Sequence, residues 1–268
     1  MIDKIIGFIG AGNMGSAMIG GIIHSELVTT SQIIASAHSA ATLEKLQSTY
    51  SIETTLSNET VAERSDILFL AVKPNKFDEV IPQISSHVKS GCVIVSIAAG
   101  KTIAAIEDSF GKPVKLVRAM PNTPALVGEA MSALCVNQNV TPEELKEVQA
   151  LFNSFGKSEV ISESLMDAVI GVSGSSPAYV YMFIEAMADA AVADGMPRAQ
   201  AYKFAPVCLW LRENGFGNRK APGRIKGRRL LPCRNNHRGC CCTGSRRFPQ
   251  HCDFCPARLL TEIARYEQ

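Results

Sequence analysis

The run KIIGFIGAGNMGSAMIGGII, Lys4–Ile23, restricts the possible folds more than any other stretch of the chain. An apolar strand leads into a glycine-rich turn and then into a helix of small residues, Ser16, Ala17, Gly20 and Gly21. Gly10, Gly12 and Gly15 stand at the G-x-G-x-x-G spacing of a dinucleotide-binding turn. The first glycine permits the tight turn, the second lets a pyrophosphate approach the backbone, and the third lets the helix pack on the strand. The start of the helix then offers unpaired N–H groups to phosphate. The apolar run Ile5–Ile9 is too short to span a bilayer and is followed at once by glycine, so it reads as a buried strand and not as a signal peptide. A cytoplasmic chain with no membrane partner is the expectation.

The same alternation continues. QIIASAHS, SDILFLAVKP and GCVIVSIAAG each read as a strand, and Lys76–Lys89 carries a helical apolar period through Phe77, Val80, Ile81, Ile84 and Val88. Repeated strand–helix units predict a Rossmann-type, doubly wound parallel sheet with ligands at the carboxyl ends of its strands, where Ala71–Pro74 and Ile97–Gly100 fall. NAD-binding folds usually place a carboxylate after the second strand to hold the ribose 2′-hydroxyl. This chain has Ser36, His38 and Ser39 there instead, which favours NADPH and leaves NADH possible. Lys73 is expected to line the cofactor side of its strand end. Glu185, within an apolar helix, is expected in a buried or interfacial ion pair. Cys92 and Cys135 read as reduced core thiols.

Composition divides the chain. Hydrophobic residues at 46% and charged residues at 19% describe a globular protein and not a disordered one. Yet residues 206–268 carry 13 Lys+Arg against 4 Asp+Glu, while the preceding 205 carry 14 against 21. Seven of the nine cysteines also lie after 205, so the two regimes require separate readings.

In the first regime, GFIGAGNMG, LFLAVKP, SIAAG, RAMPNTPALVGEA and SGSSPAYV together resemble the pyrroline-5-carboxylate reductases, nearly continuously from Ile5 to about Ala205. The resemblance implies NAD(P)H-dependent reduction of the cyclic imine 1-pyrroline-5-carboxylate to L-proline, the last step of proline biosynthesis. It implies a cofactor-binding domain over 1–163 and the start of an α-helical dimerisation domain over 164–205. It also implies a cofactor held along the glycine turn by Phe8, Ile9, Gly10, Ala11, Gly12, Asn13, Met14 and Gly15. Ser36, Asn58 in the second-strand region, Ala71, Val72, Lys73 and Pro74, and Ala98, Ala99 and Gly100 complete the implied set. No catalytic residue and no metal ligand is assigned. An iminium is already electrophilic, so positioning supplies much of the acceleration. One departure is Ser176 in Gly174-Ser175-Ser176-Pro177, where the family usually has a second glycine. Ser176 there either strains the helix start or caps it.

The second regime contains LLPCRNNHRGCCCTG. His237, Cys240, Cys241, Cys242, His251, Cys252 and Cys255 could be read as zinc ligands, but consecutive cysteines do not converge on one tetrahedral ion. The arginines lack the aromatic interleaving of a nucleic-acid grip, so no nucleic-acid partner is expected. A third reading fits better. PCRNNHRGCCC back-translates to a string that, read one base later, gives PAGTTIEAVA, similar to the family's SPGGTTIEAV substrate loop. The same offset makes VCLWLRENGFGNRKAPGRIKG compatible with SASGSAKMVLETGKHPGELKD, and TGSRRFPQHCDFC compatible with LEAAGFRSTAISA. Residues 206–268 thus resemble an out-of-frame reading of the reductase's C-terminal domain. The resemblance implies a homo-oligomer, but the tail as written supplies neither the substrate loop nor the later interface helices. Weak cofactor binding and little turnover are therefore expected of the chain as it stands. Two rival readings are an NADP-dependent 3-hydroxyacid-type dehydrogenase and a non-enzymatic binding protein with a basic, Cys-rich tail. A 3-hydroxyacid assay would expose the first. Bound zinc or salt-dependent DNA binding would support the second.

Overall fold

In the computed structural model, the structure describes residues 2–206. The elements run β1 (Ile6–Ile9), α1 (Asn13–His24), β2 (Ile33–Ser36), α2 (Ala40–Tyr50), β3 (Glu53–Thr55), α3 (Asn58–Arg64), β4 (Ile67–Leu70) and α4 (Phe77–Ile84). They continue as β5 (Val93–Ser96), α5 (Ile103–Phe110), β6 (Lys115–Met120), β7 (Ala130–Val136), α6 (Pro142–Asn153) and β8 (Gly156–Val160). Last come α7 (Met166–Val169), a π-turn over Ile170–Gly174, α8 (Ser176–Ala193) and α9 (Arg198–Phe204). The described residues fall into two units, one running to Pro177 and one beginning at Ala178.

In the first unit the strands form one sheet in the order β3-β2-β1-β4-β5-β6-β7-β8. Every pairing is parallel except β6 with β7. The doubly wound arrangement read from the sequence is therefore present. Side chains alternate across each strand. Ile6 and Phe8 of β1 pack with Met18, Ile19 and Ile22 of α1 and Val148, Leu151 and Phe152 of α6 on one face. Ile9 packs with Val61 of α3 and with Phe77, Ile81 and Ile84 of α4 on the other. The aromatic stack Phe8–Phe69, with centroids 4.6 Å apart, continues through Phe152 to Phe155 and joins sheet to helix.

Three local readings change. The apolar period assigned to Lys76–Lys89 is helical only from Phe77 to Ile84. Two serines follow, which favour turns, and the Ser85 hydroxyl donates to the Phe110 carbonyl at 2.8 Å; Val88 is still buried, carried inward by the turn. The fourth strand stops at Leu70, before AVKP. Asn58 is not in the second-strand region but opens α3. The tail's cysteines, arginines and frame reading lie outside the described residues.

The second unit contains most of α8 and all of α9, joined by an Arg198–Asp189 ion pair with the Arg198 guanidinium over the Tyr202 ring at 5.5 Å. Glu185 is exposed and has no ion-pair partner among the described residues, so of the buried or interfacial pair expected for it the buried form is not the one found. Among the described residues no helix is long and apolar enough to cross a membrane.

Cys92 and Cys135 are buried free thiols. Burial, with the Asp66 carboxylate nearby, pushes the Cys92 thiol up to about 12; burial, with Glu163, pushes Cys135 up to about 11. Thiolate is the reactive form. Iodoacetamide at pH 8 is therefore expected to leave both residues unmodified in the native chain and to label them in denaturant. Peptide mapping checks this, and native labelling at either would contradict it.

Candidate functional site

The carboxyl ends of β1, β2, β4 and β5 lie side by side, and short backbone bonds carry the chain out of each strand. Gly10 N–H donates to Ser36 O at 3.0 Å, Ala71 N–H to Ile9 O at 2.8 Å, and Ile97 N–H to Leu70 O at 3.3 Å. These bonds gather the glycine turn, Ala71–Pro74 and Ala98–Gly100 on one edge. Gly10 has φ +91, a left-handed conformation that side chains rarely adopt, and a Cβ there would lie 2.8 Å from Ala71 O. At Gly15 a Cβ would lie 2.6 Å from Gly10 O, so α1 seats directly on its own turn. Gly12 is different. A Cβ there would meet nothing within 4 Å, so the absent side chain leaves an open cradle above the backbone. Gly12 is also the N-cap of α1, which has no acidic residue in its first turn. An N-terminus with free N–H groups, no carboxylate and an open cradle suits a pyrophosphate.

The residues singled out from sequence divide by exposure. Gly12, Asn13, Lys73, Ala99 and Gly100 are exposed on this edge, and Gly10, Met14, Asn58, Ala71, Val72 and Pro74 are half-buried. Phe8, Ile9, Ala11, Gly15, Ser36 and Ala98 are buried, so their side chains shape the edge from beneath. Ser36 is fully buried and its hydroxyl donates to Asn58 Oδ1 at 2.7 Å. What Ser36 contributes is the orientation of Asn58, whose Nδ2 in turn donates to Gln83 Oε1 at 3.1 Å. His38 and Ser39 are exposed, and Ser39 caps α2 by accepting from Thr42 N. α2 has no acidic residue in its first turn, and the segment Ser36–Ser39 after β2 holds no carboxylate, which leaves the start of that helix open to a 2′-phosphate.

A groove of about 710 Å³ starts at Ala11, Gly12 and Asn13 and runs along the outer side of α1 past Ser16, Gly20 and His24. It lies between α2 and the turn Thr123–Val127 and contains neither Ala71–Pro74 nor Ala98–Gly100. The exposed backbone at the strand ends, not this groove, brings the glycine turn together with the two later segments.

Sequence reasoning missed two polar fastenings. Arg118 on β6 is buried, and its Nη1 donates to Glu163 Oε1 at 2.8 Å; the same oxygen accepts from Ile103 N–H, at the start of α5, at 2.7 Å. A charged residue inside the apolar strand KLVRAM was the available signal. Asn122 bridges three segments and carries no comparable signal. Ser176 has no left-handed φ and opens α8 one residue after the π-turn, so the left-handed strain considered at that position is not present.

Comparison with known proteins agrees with this geometry. A family model described as NADP oxidoreductase, coenzyme F420-dependent, matches residues 5–100, and one for pyrroline-5-carboxylate reductase dimerisation matches 163–209. The pyrroline-5-carboxylate reductase of Escherichia coli (strain K12) is 49% identical over 204 residues, 76% of each chain. That of Methanosarcina acetivorans is 42% identical over 227 residues, 84% of each. The crystal structure of Plasmodium falciparum pyrroline carboxylate reductase with NADP bound superposes with a TM-score of 0.77 at 31% identity, covering 86% of this chain and 85% of that one.

Proposed function

The chain belongs to the pyrroline-5-carboxylate reductase family, and from that premise we propose that it reduces 1-pyrroline-5-carboxylate to L-proline with NADPH, as a cytoplasmic homo-oligomer. The observation that carries the reading is the open cradle at Gly12, set at the start of α1 beside the strand ends. The similarity to the Escherichia coli and Methanosarcina acetivorans reductases favours this reading over the 3-hydroxyacid dehydrogenase and the non-enzymatic ones. Residues 1–163 hold the cofactor, 164–205 begin the dimerisation part, and 206–268 are the out-of-frame reading of the remainder.

The residues present fit a dinucleotide. Gly12 and Asn13 would take the pyrophosphate on backbone N–H groups, with Gly10 shaping the turn beneath it, and Asn58, held by Ser36 and Gln83, would meet the adenosine side. The backbone of Ala71–Pro74 and Ala98–Gly100 would flank the nicotinamide side. When bound, NADPH supplies the hydride that reduces the imine carbon. The protein's part is orientation: the edge fixes the direction from which the imine can approach, and effective molarity replaces a dedicated acid–base pair. The segment Ser36–Ser39 after β2 and the first turn of α2 hold no carboxylate, which favours NADPH over NADH.

The test is proline formation from pyrroline-5-carboxylate and NADPH by two proteins. One is the chain as written. The other comes from the gene with one base removed in the codons for Lys203–Cys208. The frame-restored protein is expected to turn over at rates usual for enzymes, about 1–1,000 per second, and the chain as written at least tenfold more slowly by about 1.4 kcal/mol or more of lost transition-state binding. Failure of both to form proline would overturn the reading.

A further inference from the structure

We propose that Asn122 is a positioning residue that fastens the π-turn Ile170–Gly174 to the turn after β6, and so fixes the wall of the cofactor site on its nicotinamide side. The inference rests on the NADPH reading of the strand edge. Asn122 is the N-cap residue of the turn Thr123–Val127, where an asparagine usually bonds the first N–H groups of its own helix. It makes no such bond. Its Oδ1 instead accepts from Met131 N–H at 2.9 Å, and its Nδ2 donates to Ser173 O at 3.3 Å and Ser173 Oγ at 3.0 Å. The Ser173 hydroxyl closes the triangle by donating to Met131 O at 3.4 Å. A carboxamide offers an acceptor and a donor from one short side chain; a carboxylate in its place presents only acceptors to Ser173 O.

The segment so held has an uncommon shape. Ser175 N–H donates to Ile170 O at 2.9 Å, a five-residue span that widens the helix, and such turns recur at functional sites. Gly174 lies against the last residue of β6, since a Cβ on it would be 3.3 Å from Met120 Cε. In the sheet β6 follows β5, with Ser96 opposite Arg118, so Met120–Asn122 adjoins the carboxyl end of β5 and the Ala98–Gly100 segment. Strand order reverses between β1 and β4, and a dinucleotide lying across that point directs its adenosine toward β2 and its nicotinamide toward β4 and β5. None of the hydrogen bonds made by the Asn122 side chain reaches the β2 side. Loosening this fastening should therefore disturb one half of the cofactor site and spare the other.

Fluorescence titration of the full chain with NADPH, and calorimetric titration with adenosine 2′,5′-bisphosphate, test this in the wild type, Asn122→Asp and Ser173→Ala. Asn122→Asp is expected to weaken NADPH roughly tenfold, the effect of about one lost hydrogen bond and a misplaced charge. It should also abolish the change in nicotinamide emission on binding, while the bisphosphate keeps its affinity within about twofold, inside a few tenths of a kcal/mol. Ser173→Ala, which cannot fail through charge, is expected to move NADPH about threefold in the same direction. Equal weakening of both ligands, or of neither, would overturn the proposal. A wild-type chain that binds neither ligand would sink the NADPH reading itself and this inference with it.

Discussion

Replacing Glu163 by alanine is expected to lower the melting temperature of the chain by roughly 6–12 °C, from about 3 kcal/mol of lost stability in a unit of this size. Arg118 is 4% exposed, so its guanidinium has little access to water once the carboxylate is gone. Breaking a buried pair from one side leaves a charge without compensation, which costs far more than the intact pair contributes. The lower end of the usual range applies because the Glu163 side chain is 35% exposed. The same oxygen also holds Ile103 N–H, so α5 loses the partner of its first turn. Glu163→Gln retains an acceptor for both donors and is expected to cost about half as much. Adding Arg118→Met to Glu163→Ala should recover part of the loss, because an apolar pair of similar volume no longer buries a charge. Thermal unfolding by circular dichroism reads all three. An unchanged melting temperature in Glu163→Ala would show that the ion pair does not hold β6, α5 and the 163–165 turn together.

The glycine turn offers a second large effect, separable from stability. Gly12→Ala is expected to weaken NADPH by about ten- to a hundredfold, on the order of 1.4–2.8 kcal/mol, while costing the fold at most about 1 kcal/mol through a poorer helix cap. The added methyl meets nothing in the protein, so only a bound phosphate can detect it. Gly15→Ala places its Cβ 2.6 Å from a backbone oxygen and must displace the turn itself. That variant should lose both affinity and about 1–3 kcal/mol of stability. Paired NADPH titration and thermal unfolding distinguish the two. If Gly12→Ala binds NADPH normally, no phosphate lies over that cradle.

The centre of the parallel sheet was legible because β1, β2, β4 and β5 are short apolar runs, and Ile6–Ile9 and Ile67–Leu70 needed no context; β3 (Glu53–Thr55) and β8 (Gly156–Val160) are polar and half-exposed and carry no such signal. The glycine turn was legible for a different reason: its spacing has a steric meaning, seen again in the left-handed Gly10 and the tight seat of Gly15. What could not be read was tertiary. Nothing in QIIASAHS says that Ser36 is buried and bonded to a residue on α3. The end of α4 at Ile84 depends on a serine finding the Phe110 carbonyl, 25 residues away. Arg118–Glu163 and Asn122–Ser173 join positions 45 and 51 residues apart, beyond any local pattern. For Glu185 the apolar helix suggested a buried or an interfacial pair, and its exposure in this chain removes only the buried alternative. The frame reading of the tail is the opposite case: it came from codon logic alone and lies outside the described residues.

The measurement that tests the central claim most directly is the binding of NADPH and NADH to the purified full-length chain, followed by quenching of intrinsic fluorescence and by nicotinamide emission. The expected result is one saturable site per chain that takes NADPH more tightly than NADH and loses affinity in Gly12→Ala. Absence of saturable binding, or a preference for NADH, would contradict the assignment of the strand edge as an NADPH site.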